Sequence, residues 1–172
     1  MKNLELKVKY ASDIALKLAN KLELSESFDL IQVDTYYKVN QGRLKLRSIN
    51  NKDHELIWYQ RADRIDAKES TYEIFRTKDP EQMKLILKHS LGIKVIVEKH
   101  RQAFIYKDCR IHIDKVSQLG EFLEFEVVMI PDRTEQEANE LMDFLIRHFN
   151  IKTDQLINVS YSDLLLNMLY NN

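Results

Sequence analysis

Cysteine, glycine and proline are all scarce in this chain, and each scarcity removes a class of protein. Only one of the 172 residues, Cys109, is a cysteine, so no disulfide can form within the chain. Such usage suits a reducing compartment, where thiols stay unpaired. Gly42, Gly92 and Gly120 are the only glycines and lie far apart. A glycine-rich phosphate loop is therefore excluded, and with it the P-loop and dinucleotide-binding readings. Two prolines and 44% hydrophobic residues leave no low-complexity or disordered tract. There is no run of roughly 18 apolar residues that could span a membrane, and the opening MKNLELKVKY lacks the apolar core of a secretory signal. The expectation is a cytoplasmic protein with no membrane partner. Basic and acidic residues nearly cancel, 26 against 27, for a net charge of −1. No whole-molecule field is available to hold nucleic acid, so nucleic acid is not an expected partner. Any anion site must come from local clustering.

What is present is charge arranged with a period of two. Residues 3–10 place Asn3, Glu5, Lys7 and Lys9 on one face and Leu4, Leu6 and Val8 on the other, the pattern of a half-buried strand. Seven further strand-like segments follow, at 29–38, 43–49, 55–61, 69–76, 93–107, 110–116 and 121–130. Helical spacing appears over 11–24, with Ser12 or Asp13 able to cap it. Asp79-Pro80 opens a second helix that Gly92 closes. A third starts at Thr134, with capping-box spacing to Glu137, and a fourth at Ser160 or Ser162. Segments joined by hairpin-length connections predict an α+β fold. In it, an eight-stranded antiparallel sheet closes into a barrel, a tunnel whose apolar outside is covered by helices. The whole of 1–172 reads as a single domain, long enough to bury a core.

Strand by strand, the non-apolar face is charged. The third strand aligns Arg43, Lys45 and Arg47, the sixth Lys99 and Arg101, the seventh Arg110, His112 and Asp114, and the eighth Glu124 and Glu126. Acids on adjacent strand faces can hold a hard cation, for which oxygen ligands suit Mg²⁺ or Mn²⁺. They are also what the wet face of an ordinary sheet looks like. Three like charges in a row repel by about 1 kcal/mol per near pair at a surface, a cost that an anion lying across them would remove. Patterning alone does not choose between these readings.

The charged positions fall in six short motifs, in order: Asn3-Leu4-Glu5-Leu6-Lys7, Gln32-Val33-Asp34-Thr35-Tyr36, Leu44-Lys45-Leu46-Arg47, Val97-Glu98-Lys99-His100-Arg101, His112-Ile113-Asp114-Lys115-Val116, and Leu119-Gly120-Glu121-Phe122-Leu123-Glu124-Phe125-Glu126. This set resembles the CYTH superfamily, the triphosphate tunnel enzymes that include class IV adenylyl cyclases and thiamine triphosphatases. No single motif is specific; six in register from Asn3 to Glu126 are.

The resemblance implies that Lys7, Lys45, Arg47, Lys99 and Arg101 bind a nucleoside or organic triphosphate, and face patterning adds Lys9 and Arg43. It also implies that Glu5, Glu124 and Glu126 ligate Mg²⁺ or Mn²⁺. Asp114, Lys99 and Arg101 would act at the metal or the reacting phosphate. The C-terminal motif looks nearest to the class IV cyclases, which convert ATP to cyclic AMP and pyrophosphate. Hydrolysis of tripolyphosphate or thiamine triphosphate is the second reading. A non-catalytic module binding polyphosphate or nucleotide is the third, and a homodimer stays open. Two departures stand out: Asn3 replaces the first acid of the family's Glu-x-Glu-x-Lys signature, and Gln60-Arg61-Ala62 stands where a Lys-Gly-Pro is common. Arg61, Arg64 or Lys68 would replace that lysine. His112 reads either as a proton carrier or as a structural hydrogen bonder. Tyr36, Tyr37, Trp58 and Tyr59 read either as stacking surfaces for a purine or as ordinary strand aromatics. Cys109, with no evident base, reads as an idle buried thiol.

Overall fold

The computed structural model describes residues 2–61, 68–131 and 133–170. Its elements run β1 (Lys2–Lys9), α1 (Ser12–Ala19), β2 (Glu26–Tyr37), β3 (Arg43–Ile49), β4 (Asp53–Arg61), β5 (Lys68–Arg76), α2 (Pro80–Leu91), β6 (Ile93–Tyr106), β7 (Cys109–Val116), β8 (Gly120–Val128), α3 (Glu135–His148), a 3₁₀ turn (Thr153–Gln155) and α4 (Tyr161–Tyr170). The strands close into a barrel in the order β1-β5-β4-β3-β2-β6-β7-β8, every neighbouring pair antiparallel. Closure comes from β8 returning to β1, in register from Asn3↔Val128 to Lys9↔Phe122. A closed sheet leaves no unpaired edge.

The turn before β8 differs slightly from the sequence reading. It occupies residues 117–119, with Gln118 in the left-handed region, and Gly120 (φ +96°) opens the strand opposite Val116. A side chain would be strained at that φ, so glycine suits the position.

The main core lies outside the barrel. Leu6 and Val8 of β1, Ile111 and Ile113 of β7, and Leu123, Phe125 and Val127 of β8 face outward. They pack under Ala15 and Ala19 of α1 and Ala138, Leu141, Met142 and Leu145 of α3, with Phe149 below. Helix α3 carries the expected capping box, and Asp79 caps α2 by accepting from the Gln82 amide. Helix α1 is a correction. Its cap position is Ala11 with no side-chain cap, and Glu121 from the start of β8 accepts from the Ser12 amide at 2.9 Å. A strand therefore satisfies the helix end that a local serine or aspartate was expected to serve, and α1 stops at Ala19 rather than near Leu24.

Helices pack on the apolar outside of the barrel as expected, but unevenly. Helix α2 buries no residue, and on the β2–β6 side Phe28, Ile31 and Ile96 remain exposed. Helix α4 does something else. It carries Tyr161 and Leu165 into a second apolar cluster with Tyr36, Val95, Val97, Val116 and Phe122. By strand alternation Val95 and Val97 share a face with Lys99 and Arg101, and Phe122 shares one with Glu124 and Glu126. That cluster therefore fills one end of the barrel interior, and the charged residues occupy the rest.

The two sides of the molecule predict opposite tolerance. Phe125 is fully buried with its ring 5.1 Å from that of Phe149, so Phe125→Ala should cost about 3–5 kcal/mol in a denaturant titration. Ile86→Ala on α2, at a position 57% exposed, should cost less than about 1 kcal/mol in the same titration.

Candidate functional site

The inward charges of the eight strands surround a cavity of about 330 Å³, and Lys7, Lys45, Arg47, Lys99 and Arg101 all line it. These are the five cations that the motifs assigned to phosphate. Strand register explains why they converge without collapsing on one another. Asp34 of β2 sits between β3 and β6, opposite Arg47 on one side and Val97 on the other. Its carboxylate is 1% exposed and accepts from Arg47 Nε (2.7 Å) and Nη2 (2.8 Å) and from Lys45 Nζ (2.9 Å). Lys99 Nζ lies 3.5 Å from the same carboxylate. One buried acid thus anchors three cations from two neighbouring strands.

A second node is built across β6, β7 and β8. Arg101 forks onto Asp114, opposite it on β7, with both bonds 2.6 Å, and reaches Glu124 Oε2 at 2.8 Å. Tyr161 of α4 donates to Asp114 Oδ2 at 2.8 Å, and its ring lies 4.1 Å below Lys7 Nζ. Lys7 stands opposite Glu124 in the β1–β8 register and pairs with its Oε1 at 3.4 Å.

The acids gather at β7 and β8. His112 lies opposite Glu124, and Arg110 opposite Glu126, which Arg110 approaches at 3.3 Å. His112 Nδ1 stands 3.7 Å from Glu124 Oε2 and 3.6 Å from Glu126 Oε1, and these three side chains offer ligand atoms within 4.8 Å of one another. Glu5 lines the cavity and is paired in register with Glu126. Asn3 lines it as well, and its buried Oδ1 has no hydrogen-bond partner among the described residues.

Burial and neighbouring charge act against each other throughout. Burial pushes the Asp34 carboxyl upward, but Arg47, Lys45 and Lys99 hold it well below the usual range. Glu124 follows the same pattern, with Lys7 the leading opposing charge. The lysines carry the strain: burial, then Arg101, lowers Lys99 to about 7, while burial, then Arg47, lowers Lys45 to about 8. Arg101 stays firmly charged, because Asp114 and Glu124 outweigh its burial.

Some expected residues do not come to this cavity. Lys9 is exposed where β1 leaves the barrel and lines a separate cleft with Tyr10, Glu121 and Asp154. Arg43 lies beyond the apolar end and pairs with Asp163 of α4 at 2.8 Å, so it fastens the helix. Asp114, expected beside Glu5, Glu124 and Glu126 at a metal, is fully buried and turned to Arg101 and Tyr161, and the possible ligand group among the described residues is His112, Glu124 and Glu126. The side chains of Arg61 and Lys68, and all of Arg64, lie outside the described residues. Of the aromatics, Tyr36 and Tyr59 line the cavity, whereas Trp58 donates to the Gln41 carbonyl away from it. Cys109 is buried in the outer core, where burial pushes its thiol up to about 12.

Sequence reasoning missed Tyr161 and Ser160 as lining residues, since nothing local announces that a C-terminal helix enters a barrel mouth. Asp34 was quoted within a motif but given no role. Its signal was an isolated acid on the inward face of a strand beside a basic one.

A closed antiparallel barrel with five converging cations and an acidic cluster defines the triphosphate-tunnel class of fold. The chain belongs to the CYTH domain family, whose model matches residues 1–161. It is 27% identical over 148 residues to a Methanocaldococcus jannaschii protein named a putative adenylate cyclase, covering 84% of this chain and 82% of that one. A solved Pyrococcus horikoshii protein superposes with a TM-score of 0.83 at 20% identity, over 94% of this chain and 98% of that one. A Hippeastrum protein, described as a putative adenylyl cyclase with a dominant triphosphatase activity, gives a TM-score of 0.65 at 10% identity, over 98% and 95%. At these identities the two solved structures share the fold.

The lowered lysines predict a pH dependence of anion binding. Below about 7 both Lys99 and Lys45 are charged; above about 8 both are neutral. A bound polyanion favours the charged forms, so binding near pH 8 takes up protons. Affinity then falls as pH rises, by up to about tenfold per pH unit for each proton taken up. Calorimetry of tripolyphosphate binding in two buffers of different ionisation enthalpy reads this directly. Equal heats in both buffers at pH 8 would contradict it.

Proposed function

We propose that this chain is a metal-dependent enzyme acting on a nucleoside or organic triphosphate held in the barrel cavity. One observation carries the reading: the Asp34-anchored cations and Arg101 line the same cavity as Glu124 and Glu126. The names of the M. jannaschii and Hippeastrum proteins support it.

In this reading Lys45, Arg47 and Lys99 hold the phosphate chain, their positions fixed by Asp34 from behind. Guanidinium groups fork onto phosphate oxygens, as Arg47 and Arg101 already do onto carboxylates. Asp114 touches no substrate; it and Tyr161 aim Arg101. Glu5, Glu124 and Glu126 would hold Mg²⁺ or Mn²⁺. Their oxygen atoms suit a hard cation, and the buried unpartnered amide oxygen of Asn3 adds a neutral one. When bound, the ion supplies charge neutralisation on phosphate oxygens. Catalysis then needs no covalent nucleophile: the chain's work is to position the triphosphate and balance its developing charge.

The leading reaction is that of the class IV adenylyl cyclases, ATP to cyclic AMP and pyrophosphate, with the ribose hydroxyl as nucleophile. Hydrolysis of tripolyphosphate or thiamine triphosphate is the second, favoured by the triphosphatase activity stated for the Hippeastrum protein. Both reactions use the same wall of cations.

A turnover panel separates them. ATP, thiamine triphosphate and tripolyphosphate are each offered with Mg²⁺ and with Mn²⁺, and cyclic nucleotide, pyrophosphate and phosphate are read apart. Cyclic AMP with pyrophosphate is the expected product, abolished in the Glu124→Gln/Glu126→Gln double variant; phosphate alone would move the assignment to hydrolysis. Asn3→Glu should raise turnover by restoring a charged ligand. No product from any substrate, with tripolyphosphate still raising the melting temperature, would sink the enzyme reading in favour of a binding module.

A further inference from the structure

We propose that His112 is itself a metal ligand, through Nδ1, and that this imidazole makes the site select Mn²⁺ over Mg²⁺. The inference rests on the metal-dependent reading above and asks which ion that site takes.

Geometry comes first. In the β7–β8 register His112 is directly opposite Glu124, and Glu126 follows two residues along the same face. The two carboxylates are held from behind: Lys7 pairs with Glu124 Oε1 and Arg110 with Glu126 Oε2. What they turn toward His112 are Glu124 Oε2 and Glu126 Oε1, at 3.7 and 3.6 Å from Nδ1. An ion bonded at ~2.1 Å to tetrahedrally arranged ligands separates them by ~3.4 Å, and octahedral neighbours by ~3.0 Å. The two nitrogen–oxygen separations therefore need closing by a few tenths of an ångström for a tetrahedral arrangement and more for an octahedral one, with all three ligand atoms within 4.8 Å of one another.

The second observation is an unsatisfied nitrogen. The His112 side chain is 6% exposed, and Nδ1 makes no hydrogen bond within the protein among the described residues. At 3.6–3.7 Å the carboxylate oxygens are beyond hydrogen-bond reach of it. A buried polar atom without a hydrogen bond is costly, and an ion at the centre of the three groups would give it a bond. Glu124 Oε2 also accepts from Arg101 at 2.8 Å, and a carboxylate oxygen has lone pairs enough to serve both.

Chemistry then selects the ion. Mg²⁺ demands oxygen ligands and near-ideal octahedral geometry, and it dehydrates reluctantly. First-row transition ions accept imidazole readily, and affinity at a mixed nitrogen–oxygen site rises from Mn²⁺ onward. An imidazole among these carboxylates thus favours a first-row transition ion over Mg²⁺, and within that series Mn²⁺ is the ion that also suits the oxygen ligands of Glu5, Glu124 and Glu126.

The test reads ligation without turnover. Calorimetric titration with each metal alone should give at least tenfold tighter binding of Mn²⁺ than of Mg²⁺. His112→Asn should weaken Mn²⁺ at least tenfold and Mg²⁺ less than twofold. Pulsed electron paramagnetic resonance of the Mn²⁺-loaded protein, prepared with ¹⁵N-labelled histidine, should show a directly bonded ¹⁵N. That last measurement uses the native chain, so it decides even where His112→Asn fails to fold. Absence of the ¹⁵N coupling, or an equal loss for both metals, would overturn the inference. Turnover with Mg²⁺ that survives His112→Asn would leave the enzyme reading intact while His112 falls. A ¹⁵N coupling in a protein that turns over nothing would do the reverse.

Discussion

The structure depends on the register with which β8 returns to β1. Seven paired positions close the ring, and they set Lys7 against Glu124 and Glu5 against Glu126 on the inner face. Because side chains alternate, a slip of one residue would send those charges outward. It would also turn Leu6, Val8, Phe125 and Val127 into the cavity. The outer core under α1 and α3 and the charged interior are therefore two faces of a single constraint. Burial of the apolar residues holds the register that brings the ionic ones together.

An interior built this way is not the most stable one available to the fold. Removing an ion from water costs several kcal/mol even after relaxation, and ion pairs recover that only when nearly every lone pair and proton is matched. Asp34 and Asp114 meet that demand, the first by serving three cations and the second by taking a guanidinium fork and a tyrosine hydroxyl. The lysines meet it less well, and their lowered proton affinity records the shortfall. Stability alone gives no reason to keep these charges in place of the valines that fill the same face of β6 one turn of the pleat away. Binding of a polyanion, as proposed above, would.

Much of this was legible in the chain. Strict alternation in β1, β3 and β6 marked the strands and their charged faces, and β3 begins and ends at the residues expected. The five cavity cations and Glu124 and Glu126 were all singled out, because period-two patterning and the family motifs agreed on them. The misses share a cause. Arg43 lies on the same face as Lys45 and Arg47, and Lys9 on that of Lys7, so patterning could not tell them apart. What separates them is position along the barrel axis, set by where α4 and the apolar cluster intrude. Asp114 was read as a metal neighbour because it is an acid on the right face. Its partner, Arg101, is fixed by β6–β7 register, which no single strand reveals.

The apolar cluster at the α4 end has a consequence for what can occupy the cavity. Val95, Val97, Val116, Phe122 and Leu165 offer no side-chain group to receive a phosphate, and Tyr161 stands at their border with its hydroxyl already donated to Asp114. On the reading proposed above, a phosphate chain lying along the cations would meet that hydrocarbon with its end rather than its middle, so the distance from the Asp34-anchored cations to the cluster would limit how long a chain the cavity holds.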